Sequence, residues 1–144
     1  MTILNAEQLQ EIMDSAFPDV QGPRVEEVSG NTVVVRQPIF DRHGRPGGTV
    51  SGPIMMMLAD TAAWIAVLAQ IGPVLLAVTT SLHIDFLRKP EMTDLVARGT
   101  VIKLGRKLAV IDVAIYSLGR DEMVAKSQVT YAIPSDAPAS SDGE

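Results

Sequence analysis

The chain of 144 residues contains no cysteine. Disulfides, thiolate metal sites and a cysteine nucleophile are therefore excluded. Aromatic residues make up only 4%, so a core has to be assembled from aliphatic side chains and methionine. Basic residues are outnumbered, 12 against 17 acidic ones, giving a net charge of −5. A nucleic-acid binder needs a basic face to replace phosphate counterions, so no nucleic-acid partner is expected. The first twenty residues carry Glu7, Glu11 and Asp14 and no basic residue ahead of an apolar run, so no secretory signal is expected and the location expected is cytoplasmic. The apolar run 53–69 falls short of the ~20 residues that cross a bilayer and contains Asp60, so no membrane span is expected.

What is present is 47% hydrophobic residues in a chain of ordinary domain length, enough to bury a substantial core. Leu9, Ile12, Met13 and Ala16 fall at helical spacing among acidic and amide residues, which predicts a short amphipathic helix over 5–17. The prolines and glycine of 18–23 end it. Residues 24–40 read as one β-strand, richest in branched side chains at 31–37. Residues 41–48, with three glycines and a proline, read as a loop.

A long helix then starts near Ser51-Gly52-Pro53 and stops at Gly72-Pro73. It is apolar nearly all round, which predicts burial. Four strands follow, at 77–87, 95–104, 108–117 and 123–133. Alternation such as Leu82, Ile84 and Phe86 against Ser81, His83 and Asp85 indicates antiparallel pairing with one buried face. Short connections with Gly105 and Gly119 make the last three strands a meander. The fold class is α+β, an antiparallel sheet curled around one long central helix. Residues 1–23 form an N-terminal helix and turn, 24–133 the main domain, and 134–144 a disordered tail rich in Pro, Ser and acid.

The exception in the central helix is Asp60, with methionines one turn before it and Ala63 and Trp64 one turn after. A carboxylate in such surroundings is expected to have either a hydrogen-bonding partner or a function. The run Met55-Met56-Met57 reads as core packing, with an adaptable wall for an apolar ligand as the alternative. His43 reads as a solvated loop residue and His83 as lying on the less apolar face of its strand. Neither has the spacing of a metal site, and no serine has the Gly-x-Ser-x-Gly setting of a serine hydrolase.

The order and spacing of Gly48-Thr49-Val50-Ser51-Gly52-Pro53, Leu58-Ala59-Asp60-Thr61-Ala62, Ala77-Val78-Thr79-Thr80, Ile84-Asp85-Phe86-Leu87-Arg88-Lys89-Pro90, Gly105-Arg106-Lys107-Leu108-Ala109 and Thr130-Tyr131-Ala132 resemble the PaaI-like branch of the hotdog-fold acyl-CoA thioesterases. The resemblance covers roughly residues 33–133. It implies that the thioester carbonyl docks at the helix start, on the N–H of Gly52, and that Asp60 activates water. It further implies that a hydroxyl on the next strand places that water; Thr79 aligns best, with Thr80 left open. Family members build the site between subunits, which implies a homodimer or a tetramer of dimers.

This chain has Ser51-Gly52-Pro53 where the family commonly has His-Gly-Gly, and Arg45 where it carries an asparagine. The pairs Arg88-Lys89 and Arg106-Lys107 read either as ordinary charged strand ends or as holders of coenzyme A phosphates. The expected ligand is a small-molecule acyl-CoA, with coenzyme A entering as part of the substrate and no other cofactor or metal. The alternatives are a non-catalytic acyl-CoA binding or sensing protein of the same fold and, more remotely, a dehydratase.

Overall fold

Asn5 opens the first helix through reciprocal hydrogen bonds, its Oδ1 accepting the Gln8 N–H at 2.8 Å and the Gln8 Oε1 accepting its own N–H at 2.9 Å. In the computed structural model, which describes residues 2–18 and 21–134, this helix is α1 (Ala6–Ala16). Its apolar face turns inward, with Leu9 and Met13 in the core. It lies across β1 (Arg24–Ser29) and touches the central helix. Of the tail expected over 134–144, all but Pro134 lies outside the described residues, as do positions 19 and 20 of the first turn.

The single strand expected over 24–40 is instead a hairpin of β1 and β2 (Thr32–Gln37). The turn falls at Gly30-Asn31, where Gly30 has φ +60°, a conformation that glycine adopts without steric cost. The branched run 32–37 masked this signal, because it continues the β pattern across the turn. The following loop contains a helical turn at Asp41–His43 and a small ribbon of β3 (Gly44–Arg45) and β4 (Thr49–Val50).

The central helix, α2, runs Gly52–Ile71. By length and composition alone it could cross a membrane, but 61% of that window is buried inside the fold. Four long strands follow: β5 (Val78–Phe86), β6 (Leu95–Leu104), β7 (Leu108–Ser117) and β8 (Met123–Ala132). They join the hairpin in one six-stranded sheet of order β1-β2-β6-β7-β8-β5, with every neighbouring pair antiparallel.

The sheet wraps α2. Leu58, Ala62, Ile65 and Leu68 are fully buried against Val35, Ala97, Ile111, Val113 and Val129. Small residues set how close helix and sheet can come. A Cβ on Gly99 of β6 would sit 3.4 Å from Val33 Cγ2 and 3.5 Å from the Ala62 carbonyl oxygen, ordinary van der Waals contact that leaves little room for a larger side chain between strand and helix.

Burial is not complete around the helix. Met56 and Met57 are each 42% exposed and Asp60 and Thr61 are half-buried, so one stripe of α2 lacks cover. Of the three methionines expected in the core, only Met55 is buried. The uncovered stripe lies on the side of β5, one of the two terminal strands of the sheet, most of whose residues are exposed.

Candidate active site

Asp60 lies on the α2 stripe facing the start of β5 and the end of β8. Thr79 and Tyr131 are directly opposite each other across these two strands. A β-bulge between Thr79 and Ser81 inserts Thr80 as an extra residue, whose hydroxyl donates to the Thr130 carbonyl at 3.3 Å. Thr79 is thereby aimed at the helix, and its Oγ1 donates to Asp60 Oδ1 at 2.6 Å. Of the two threonines left open by sequence, Thr79 is the one in contact with Asp60.

A second hydroxyl, not singled out as a site residue, reaches the same oxygen. The Tyr131 hydroxyl lies 2.9 Å from Asp60 Oδ1 and 3.1 Å from the Asp60 carbonyl oxygen. Burial pushes the Tyr131 phenol well above its ordinary range; the Thr79 hydroxyl opposes this and the Asp60 charge adds to it. Tyr131 therefore stays protonated and acts as the donor. Both donors converge on Oδ1, and Oδ2 has no hydrogen-bonding partner among the described residues. The carboxylate is held by one oxygen and open at the other.

Asp60 and Thr79 border a cavity of about 510 Å³ between α1, α2 and the start of β5. Its apolar wall includes Met13, Phe17, Met57, Trp64 and Val78. The rings of Phe17 and Trp64 meet edge to face, 5.7 Å between centroids at 74°.

Gly52 is elsewhere. It is the first residue of α2, eight residues from Asp60, or about 12 Å along the helix axis. A Cβ at this position would lie 3.5 Å from the Phe86 ring, at the far end of β5 from Thr79. Ser51 is the N-cap but makes no side-chain cap hydrogen bond, and Pro53 has no N–H to offer. The Gly52 amide is thus among the helix-start donors without a capping acceptor.

A second cavity of about 640 Å³ surrounds this helix start, lined by Gly52, Phe86, Arg45, Arg88 and Lys89. The other basic pair, Arg106-Lys107, is in the β6–β7 turn, where the Lys107 carbonyl accepts the Ile133 N–H next to the Val78 end of β5. Within one protomer the two basic pairs are therefore at opposite ends of β5, roughly 26 Å apart along a nine-residue strand.

His43 departs from the solvated residue expected. It is only 7% exposed, its Nδ1 accepts the Phe40 N–H at 3.0 Å, and its carbonyl accepts the Ser51 N–H at 2.9 Å, which fixes the loop to the start of α2. His83 is exposed beside Asp85, 3.0 Å away. Among the described residues no cluster of His and acidic side chains could hold a metal ion.

A family model described as the thioesterase superfamily matches residues 47–124, the stretch from the approach to α2 into β8. Among solved structures the chain is similar to a candidate thioesterase of Silicibacter sp. TM1040, at 39% identity over 93% of this chain and 94% of that one, with a TM-score of 0.85. It is also similar to the phenylacetic acid degradation protein PaaI of Thermus thermophilus, at 26% identity over 86% of this chain and 99% of that one, with a TM-score of 0.69. A candidate esterase of Thermoplasma acidophilum is 24% identical over 91% of this chain and 98% of its own length.

Proposed function

Since the chain belongs to the thioesterase superfamily, we propose that it hydrolyses acyl-CoA thioesters, with Asp60 as the base that activates water. The observation that carries this reading is the Asp60 carboxylate, with Oδ1 anchored by Thr79 and Tyr131 and Oδ2 open at the edge of an apolar cavity. In the proposed reaction Oδ2 takes a proton from water as the oxygen attacks the thioester carbonyl. Negative charge developing on the carbonyl oxygen is met by the Gly52 N–H at a helix start. The tetrahedral adduct then collapses with cleavage of the C–S bond. The proton held by Asp60 returns to the departing thiolate, giving a carboxylic acid and free coenzyme A.

Gly52 and Asp60 of one chain are too far apart to act on one carbonyl, which supports a site shared between two subunits. β5 is an edge strand, paired with β8 on one side only, and edges of this length are normally covered. If β5 pairs antiparallel with its own copy about a two-fold axis, the Phe86 end of one subunit meets the Val78 end of the other. Gly52 then comes beside Asp60, Thr79 and Tyr131 of the partner subunit. The same operation brings Arg88-Lys89 of one subunit toward Arg106-Lys107 of the other, a basic setting for the phosphates of coenzyme A, to which Arg45 adds a charge. The exposed Met56 and Met57 would be covered in the process. A homodimer, a cytoplasmic location and no cofactor beyond substrate-borne coenzyme A belong to the same proposal.

Release of free thiol from acyl-CoAs by the wild type, compared with Asp60→Asn, tests it. General-base loss should lower kcat at least ~100-fold with the chain still folded and binding substrate. Equal rates in the two proteins would defeat the mechanism. Pro53 at the helix start favours one other reading, a protein that binds acyl-CoA without cleaving it; binding by the wild type with no thiol release would select that reading.

A further inference from the structure

The cavity beside Asp60 has a wall that the family match does not include. Met13 and Phe17, from α1 and the residue that ends it, line this space together with Met57 and Trp64 of α2. Both precede the stretch 47–124 that the family model covers. Among the described residues the polar groups at the cavity, beyond the Asp60, Thr79 and Tyr131 cluster, are Asp14 and Thr61, and no lysine or arginine lines it. Asp14 accepts a hydrogen bond from Gln10 at 2.9 Å and sits 3.5 Å from Arg24, which is not among the lining residues.

From this lining we infer that the cavity is the acyl subsite, that it takes uncharged apolar acyl groups, and that Phe17 packed on Trp64 sets how long a group it accepts. This rests on the thioesterase reading above. A substrate whose acyl group ended in a carboxylate would place that charge among apolar side chains and beside Asp14, with no cation among the described lining residues to receive it. An alkyl chain meets Met13 and Met57, which adapt to irregular shapes, and then the edge-to-face Phe17–Trp64 pair. Trp64 is 8% exposed and fixed in the core, whereas Phe17 is 59% exposed. Phe17 is therefore the movable and replaceable side of this limit.

The test is kcat/KM for thiol release across straight-chain acyl-CoAs of increasing length, with succinyl-CoA set against butyryl-CoA. Each methylene that the cavity accepts should raise kcat/KM about fourfold, the equivalent of ~0.8 kcal/mol of burial, until a maximum is reached. Succinyl-CoA should fall at least ~50-fold below butyryl-CoA, because of the unpaired charge. Phe17→Ala should move the maximum to longer chains and Phe17→Trp to shorter ones. Since Phe17 is largely exposed, both variants should fold, losing at most the few degrees of melting temperature that the Trp64 contact contributes. A length profile unmoved by both substitutions, or succinyl-CoA cleaved as well as butyryl-CoA, would overturn the subsite while leaving the hydrolase intact. No release from any thioester would defeat the hydrolase and the subsite together.

Discussion

Removing either hydroxyl that grips Asp60 should slow hydrolysis without weakening substrate binding, and the two effects should not simply multiply. Thr79 Oγ1 and the Tyr131 hydroxyl donate to one carboxylate oxygen at 2.6 and 2.9 Å. Hydrogen bonds to charged groups are each worth ~1.5–3 kcal/mol. If half to most of that energy holds Oδ2 in its attacking orientation, Thr79→Val, which removes the shorter bond, should lower kcat ~100-fold. Tyr131→Phe should lower it ~10-fold, at 1.36 kcal/mol per tenfold. Once one anchor is gone the carboxylate already samples unproductive rotamers, so the double variant should lose less than the product of the single losses. The expected coupling is ~0.5 kcal/mol or more between groups sharing one partner. The assay is steady-state thiol release, with KM expected within about twofold of wild type because both hydroxyls are engaged with Asp60 and not with a basic side chain. If both single variants kept wild-type kcat while Asp60→Asn lost activity, anchoring of Oδ1 would have no catalytic role and the geometric argument would fail.

Tyr131 also makes a prediction about alkaline stability. Its folded phenol titrates above the ordinary value near 10.0, so above that pH the unfolded chain loses a proton that the folded chain keeps. The group is neutral in both states below pH ~10 and costs nothing there; above it, unfolding free energy falls by up to ~1.4 kcal/mol per pH unit. Urea titrations should therefore show a shallower decline for Tyr131→Phe than for wild type above pH ~10 and parallel curves below it. Replacing the exposed pair with Met56→Asp and Met57→Asp should leave the monomer folded, yet give monomer mass by light scattering and abolish thiol release. A stable dimer in that variant would place the subunit contact elsewhere. Gly99→Leu should cost ~1–3 kcal/mol in chemical denaturation, because a side chain there meets Val33 and the Ala62 carbonyl at van der Waals limits; an unchanged midpoint would mean that the helix is free to lift off the strand.

Most of the fold was legible because it depends on local signals. The helical spacing of Leu9, Ile12, Met13 and Ala16, the glycine-proline stop after Ile71 and the alternation in β5 through β8 each act within a few residues, and each appears near its expected place. The turn at Gly30-Asn31 was also a local signal, but the branched run 32–37 continued the β pattern across it. The exposure of Met56 and Met57 follows from the sheet, not from the helix. A helix apolar all round needs cover all round, and six strands ending at an open β5 leave one side of α2 uncovered.

The site was legible only in part for a related reason. Asp60 stands out in sequence because its neighbours are apolar, and Thr79 through resemblance. Tyr131 lay within the resembling stretch Thr130-Tyr131-Ala132 but carried no role there: a tyrosine in a strand alternating with Thr130 and Ala132 is an ordinary inward-facing residue. Its role depends on β8 lying between β7 and β5, and on a one-residue bulge that sets Thr79 opposite it. Moving that bulge by one residue would turn Thr79 to the outer face and leave Tyr131 alone on Oδ1. The bulge at Thr80 is therefore as much a part of the candidate site as the hydroxyls themselves. A substitution there that straightens the strand should mimic Thr79→Val in kcat while leaving every side chain in contact with Asp60 chemically unchanged.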